Sequence, residues 1–219
     1  MGGISKFTKI SGVALLTAAF IGGGAFTAST AMADDEPIAP ADAPEIMERP
    51  WPEYPADGET HNNIWVATTL LNAQTDPDGD PYWDQDATNT WNGEIEEVLL
   101  TYQDDKDLGE HGELKEEMWQ HFSDIQYQDG VSWGPGNGRD YYDTGDSGPG
   151  VYALQSMLID HGYLDSTQLD GQYGEITKLN VTRFQTDHVC DQVSVSEAAC
   201  VDGLTGEVTW RALVSADVE

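Results

Sequence analysis

The chain has 219 residues, of which 40 are Asp or Glu and 9 are Lys or Arg, a formal net charge of −31. A field of that sign and size argues against nucleic acid or an anionic lipid surface as partner. It suits an extracellular protein kept in solution by self-repulsion, in a medium salty enough to screen the charge.

Residues 1–33 read as a signal peptide. Lys6 and Lys9 form a charged start, "GVALLTAAFIGGGAF" is an apolar run, and Ala31-Met32-Ala33 is a small-x-small cleavage site. A retained membrane anchor is the competing reading; the glycines at 22–24 and the acidic "DDE" after the cleavage site favour removal. Cleavage leaves 186 residues from Asp34, with 40 acids facing 7 bases. No cysteine lies near the site for a lipid, and "RALVSADVE" offers no hydrophobic tail. The expectation is a secreted protein, extracellular or cell-wall associated, with no stable membrane anchoring.

Residues 34–49 open a proline-rich acidic leader; the tract 34–57 holds 6 of the 10 prolines, and little regular structure is expected there. Helical spacing follows in 50–124, in "IWVATTLL", "WNGEIEEVLLTYQ" and "GELKEEMWQHF". Between them, Asp76, Asp78 and Asp80 in "DPDGDPYWDQD" have the alternation of a calcium loop. Pro81 and Ala87 stand where such a loop has glycine and glutamate, so a solvated loop is the default. Glu96 and Glu97 are adjacent carboxylates on the outer side of an apolar-striped helix, a solvated face rather than a glycosidase pair. Residues 125–146 are predicted as a linker, part of a stretch with seven glycines between 129 and 150.

Residues 147–216 carry three further helical segments. "VYALQSMLIDHGYL" puts Val151, Leu154 and Leu158 on one face, with Gln155 beside them and Gly162 as the C-cap. "GEITKLNVTRFQTDH" puts Thr177, Val181 and Phe184 on a stripe, and "GEVTWRALV" supplies Val208, Trp210, Leu213 and Val214. The last two follow a doubled pattern, D-G-x-x-G-E-[IV]-T, at Asp170–Thr177 and Asp202–Thr209. That is helix-start chemistry: a glycine turn with positive φ, then a glutamate where the helix dipole favours negative charge. Cys190 and Cys200, in an exported chain, predict a disulfide closing a short loop. A zinc site with His188 would have only three ligands, so no metal or other cofactor is expected.

In order, V-x-x-L-Q-x-x-L (Val151 to Leu158), D-G-x-Y-G-x-x-T (Asp170 to Thr177), V-x-x-F-Q (Val181 to Gln185) and D-G-x-x-G-x-x-T-W (Asp202 to Trp210) resemble the bacterial peptidoglycan-binding domain of the type 1 kind. The resemblance implies an all-α fold, here two small three-helix modules joined by the glycine-rich linker. It departs at Asn180, where alanine is usual, and at "VCDQVSVSEAACV", which lengthens a loop. Residues 50–124 are similar to a degenerate copy, setting Thr68, Gln103, Gly112 and Trp119 against Gln155, Gln185, Gly203 and Trp210.

The implied function is a secreted, non-catalytic protein that binds peptidoglycan, through its stem peptide or its glycan. Gln155 and Gln185 read as bridges to loop backbone. Asp170, Gly171, Asp202 and Gly203 would shape a groove, with Tyr173, Lys178, Arg183 and Arg211 as the local aromatic and cationic supply. Lys178 and Arg183 are five apart and do not share a helix face. Neither a Ser-His-Asp set nor H-E-x-x-H can be placed. Two alternatives stand beside this reading: a small cell-wall hydrolase with 50–124 catalytic, and a protein-interaction module that has lost wall binding.

Overall fold

The structure is a computed structural model in which residues 36–54, 58–109, 111–127 and 134–216 are described; the signal-peptide expectation lies outside them. Proline organises the first elements. Pro40 opens a 3-10 turn (Pro40–Asp42) and Pro44 opens helix α1 (Pro44–Met47), each at the position where the missing N–H costs nothing. Ala43 and Ile46 are fully buried. The leader is therefore not a free extended arm. Ser194 N–H donates to Asp42 O at 2.8 Å, and Arg49 Nη2 donates to Gln192 Oε1 at 2.8 Å. Three buried apolar side chains among the acids, Ile38, Ala43 and Ile46, seat it, and proline has already removed much of the chain's freedom.

Seven further helices follow: α2 (Asn62–Asn72), α3 (Gly93–Asp105), α4 (Glu116–Gln126), α5 (Pro149–Asp160), α6 (Glu175–His188), α7 (Glu197–Cys200) and α8 (Glu207–Ser215). Their starts are readable chemistry. Asn92 Oδ1 accepts from Glu94 N and Ile95 N, both at 3.0 Å, and caps α3. α6 and α8 start after Gly174 and Gly206 without a side-chain cap, and place Glu175 and Glu207 in the first turn. α5 ends at Gly162, whose φ of 76° lets Tyr163 N–H turn back to Leu158 O. Among the described residues no strand forms; there are isolated bridges such as Tyr142 with Thr205 and Ser147 with Gln172. The fold is all-α.

The predicted inward stripes are the core. Val151, Leu154, Leu158, Val181, Phe184, Trp210 and Leu213 are buried, as are Ile95, Leu99, Tyr102, Trp119 and Phe122. α2 and α5 pack together, and Ser156 Oγ donates to Asn62 Oδ1 at 2.8 Å across that seam. Asn63 Nδ2 adds a bond to Val214 O at 3.1 Å. The two halves thus share one apolar interior, and Ala33–Glu219 is a single unit.

The glycine-rich tract is pinned along its described part. Tyr142 is fully buried and exchanges backbone bonds of 3.0 and 3.1 Å with Thr205. The Asp146 carboxylate accepts from Gly136 N, Arg139 Nη2 and Asp143 N at 2.7 to 3.0 Å. Glycine here supplies tight turns under a buried tyrosine rather than reach between separate bodies.

Cys190 and Cys200 are disulfide-bonded, with Cα atoms 5.6 Å apart, so neither thiolate is free for a metal. The bridge closes the loop that carries α7, and Cys200 is fully buried. Reducing it is expected to cost about 2–3 kcal/mol, because the open loop gains chain entropy on unfolding. Urea unfolding with and without reductant measures this; an unchanged midpoint would show that the loop contributes nothing.

Candidate functional site

The second half is built around two buried carboxamides. Gln155, on α5, accepts at Oε1 from Asp170 N (3.1 Å) and Gly171 N (2.8 Å). Its Nε2 donates to Asp170 Oδ1 (2.9 Å), Gln172 O (3.1 Å) and Thr177 Oγ1 (3.1 Å). Gln185, on α6, repeats the arrangement one helix later. It accepts from Gly203 N (2.9 Å) and donates to Asp202 Oδ1 (2.6 Å), Leu204 O (3.0 Å) and Thr209 Oγ1 (3.2 Å). Each glutamine thereby ties the turn ahead of the next helix to the core.

The glycines in these turns are required twice over. Gly171 and Gly203 have φ of 66° and 69°. A Cβ at Gly171 would lie 2.3 Å from the Tyr152 ring, and one at Gly203 would lie 2.8 Å from Lys178 Cγ and Thr182 Oγ1. Tyr173 joins the two turns from beneath: its hydroxyl donates to Gly203 O at 2.9 Å and lies 3.1 Å from Thr205 Oγ1.

The sequence-predicted residues do not converge on one pocket. Asp170 and Gly171 share the first turn and Asp202 and Gly203 the second, with the Lys178 side chain of α6 lying against Gly203. Tyr173 is buried between them and offers no face to a ligand. Lys178 Nζ is spent on Asp143 Oδ1 at 2.8 Å. Arg183 is exposed farther along α6, where Nη1 donates to Asn180 Oδ1 at 3.2 Å. Arg211 leaves the group altogether. It is buried against the N-terminal segment, with Cζ 3.2 Å from the Trp51 ring centroid and Nη2 donating to Arg49 O. Burial lowers its pKa to about 10, and its Nε and Nη1 have no hydrogen-bond partner among the described residues.

A surface groove of about 510 Å³ opens beside the first turn, and no Lys or Arg is among the residues lining it. Thr167, Gln168, Asp170, Gln172, Glu175 and Ile176 are among the residues lining it. Ile176 is 54% exposed and Leu179, three residues on, is 50% exposed. Sequence reasoning assigned the inward stripe of α6 and left this outward pair unread; two aliphatics three apart opposite the stripe were the available signal.

Among the described residues no group of three or more His, Cys, Asp or Glu side chains is placed to hold a metal ion. Asp76 Oδ1 accepts from the backbone N–H groups of Asp78, Gly79 and Asp80 at 2.8 to 2.9 Å, so this carboxylate closes its own turn. The histidines serve the fold. His61 caps α2 through Asn63 N, His121 Nε2 meets Tyr102 OH at 2.8 Å, and His188 stacks on Phe184. Glu96 and Glu97 are exposed on α3.

Residues 147–189 match the protein family described as "Putative peptidoglycan binding domain". The match covers α5, the Gln155-held turn and α6, and stops at Val189, where the disulfide-closed insertion begins. No curated protein and no solved structure matches the chain. A domain of this family points to peptidoglycan as partner and to association with the cell wall. No helix among the described residues is long and apolar enough to cross a membrane.

Asp202 gives the turn a pH dependence. Burial raises its carboxyl to about 6 from 3.8, against the pull of Leu204 N–H and the Gln185 amide, and Oδ2 is buried without a partner among the described residues. The folded state therefore holds this proton more tightly than the unfolded one. Stability falls as pH rises from 3.8 to about 6, and the penalty is complete above that. Asp202→Asn keeps the acceptor at Oδ1 and is expected to remove a penalty of about 1–3 kcal/mol at neutral pH. Urea midpoints of both proteins at acid and neutral pH test this; a gap between them that does not change with pH would contradict it.

Proposed function

We propose that this chain is an exported, non-catalytic protein that docks on peptidoglycan through residues 147–216. The observation that carries the reading is the pair of glutamine-held glycine turns. They lie in and just beyond the tract that matches the peptidoglycan-binding family, and they fix the start of α6 and of α8. Docking on such a preformed surface needs no ordering of loops on binding.

We also infer that residues 50–124 are a degenerate second copy. Gln103 on α3 accepts from His111 N (3.1 Å) and Gly112 N (2.8 Å) and donates to Glu113 O (3.1 Å), the same office that Gln185 fills at Gly203. Gly112 has φ of 65°, and Trp119 is as fully buried as Trp210. Where α5 has Gln155, α2 has Thr68, whose hydroxyl exchanges bonds of 3.1 and 3.2 Å with Thr88. The shorter side chain holds a turn without the Asp-Gly signature. On this reading 34–49 is a leader and 125–146 a connecting tract.

Co-sedimentation of the intact mature chain with purified sacculi, across ionic strength, tests the reading. The protein is expected in the pellet, with retention rising as salt screens repulsion between the acidic chain and an anionic wall. Protein left in the supernatant at every salt concentration would overturn wall binding. Released reducing ends or new free amino groups would overturn the non-catalytic assignment.

A further inference from the structure

Resting on that reading, we propose that the groove beside α6 is the wall-contacting site, and that it takes the neutral N-acetylated glycan strand, one site per chain. Three observations carry this: the charge of the groove, its unspent hydrogen-bonding groups, and the contrast with the equivalent face of the first half.

The charged residues lining the groove are Asp170 and Glu175, and no base lines it. Asp170 is kept ionised to lower pH than an ordinary carboxyl by the Gln155 amide and the Gln172 N–H. A stem peptide ending in a free carboxylate meets like charge among these lining residues; Arg183, two turns along the same face of α6 from Ile176, does not line the groove and donates Nη1 to Asn180 Oδ1. Lys178 is occupied by Asp143, and Arg211 is buried under Trp51. A glycan strand brings hydroxyl and acetamido groups without charge.

The groove has what such a strand needs. Gln168 uses Oε1 on Asp165 N, and its Nε2 donates to no protein group among the described residues. The side-chain amide of Gln172, an exposed residue, has no protein partner among them either. Both can give and accept bonds with sugar hydroxyls. Ile176, 54% exposed, supplies an aliphatic surface for the C–H face of a ring, and Leu179 extends it along the helix.

The Gln103 and Gln185 equivalence sets α3 and α6 in register, so that Glu94, Glu97 and Thr101 fall where Ile176, Leu179 and Arg183 stand. A depression on this face of the first half is lined by Asp76, Tyr82, Glu94, Glu97, Val98 and Thr101 among others. The two positions matching Ile176 and Leu179 are carboxylates there, which a ring's apolar face does not displace from water cheaply. That half keeps the scaffold without the contact surface.

The test is a titration of the isotope-labelled mature chain, followed by NMR and calorimetry, with two probes: a tetramer of N-acetylglucosamine, and a pentapeptide ending in D-Ala-D-Ala with a free carboxylate. The glycan probe is expected to bind at one equivalent per chain and to shift the amides of Gln172 and Ile176. Ile176→Glu, a change at an exposed position, is expected to weaken glycan and sacculus binding about tenfold or more, with unfolding midpoint unchanged. Binding of the peptide at this groove, two glycan equivalents, or Ile176→Glu binding like the parent would overturn the proposal. A glycan probe that leaves the groove silent while sacculi still pellet the protein overturns this site and leaves the wall-binding reading standing. Failure to pellet with sacculi overturns both.

Discussion

Everything at the second half's surface depends on a carboxamide placed where water cannot reach it. A buried glutamine is tolerable only if its oxygen and both its hydrogens are met, since an unmet polar group in the interior costs a few kcal/mol. Gln155 and Gln185 are met by the backbone of the turn they face, by its aspartate and by the threonine of the next helix. The turn offers its N–H in the right direction only with glycine at positive φ. Glutamine, glycine and threonine therefore form one unit, spread over two helices, that sets where the following helix begins and which of its faces turns outward.

The same logic explains how the two halves differ while sharing one interior. Gln103 keeps the backbone part of the arrangement and with it Gly112, without the aspartate or the threonine; Thr68 has only a hydroxyl and holds Thr88 instead. The Asp-Gly pair is dispensable once the long amide is gone, because nothing then requires a glycine N–H at that point. The insertion after Val189 has its own physical role. It is closed by the disulfide and meets the leader through Ser194 and Gln192, giving α1 part of the surface it packs on, beside α8.

Much of this was legible in the sequence, for identifiable reasons. Helix stripes, the burial of Trp210 and Phe184, the glutamine bridges and the disulfide each follow from spacing or from a residue type with few options. Tyr173 and Arg211 look like ligand contacts by residue type alone, and their neighbours in the fold are not visible in the sequence. One is buried with its hydroxyl on Gly203 O, the other lies against Trp51. The leader and the glycine-rich tract read by composition as loose chain. Ile38, Ala43 and Ile46 seat the first and Tyr142 the second, and so few buried side chains leave no periodic signal. The Ile176 and Leu179 ridge was overlooked because an outward aliphatic gains meaning only beside a groove, and a groove is a property of the fold.

The central claim is that the glutamine-held turns are rigid parts of the core rather than adaptable loops. Native-state hydrogen exchange of the Gly171 and Gly203 amides measures this directly. Buried bonds to Gln155 and Gln185 predict that both exchange only when the whole unit unfolds, with protection matching core helix amides such as that of Leu154. Exchange of either glycine at the rate of an open surface turn, while α5 and α6 stay protected, would contradict the account.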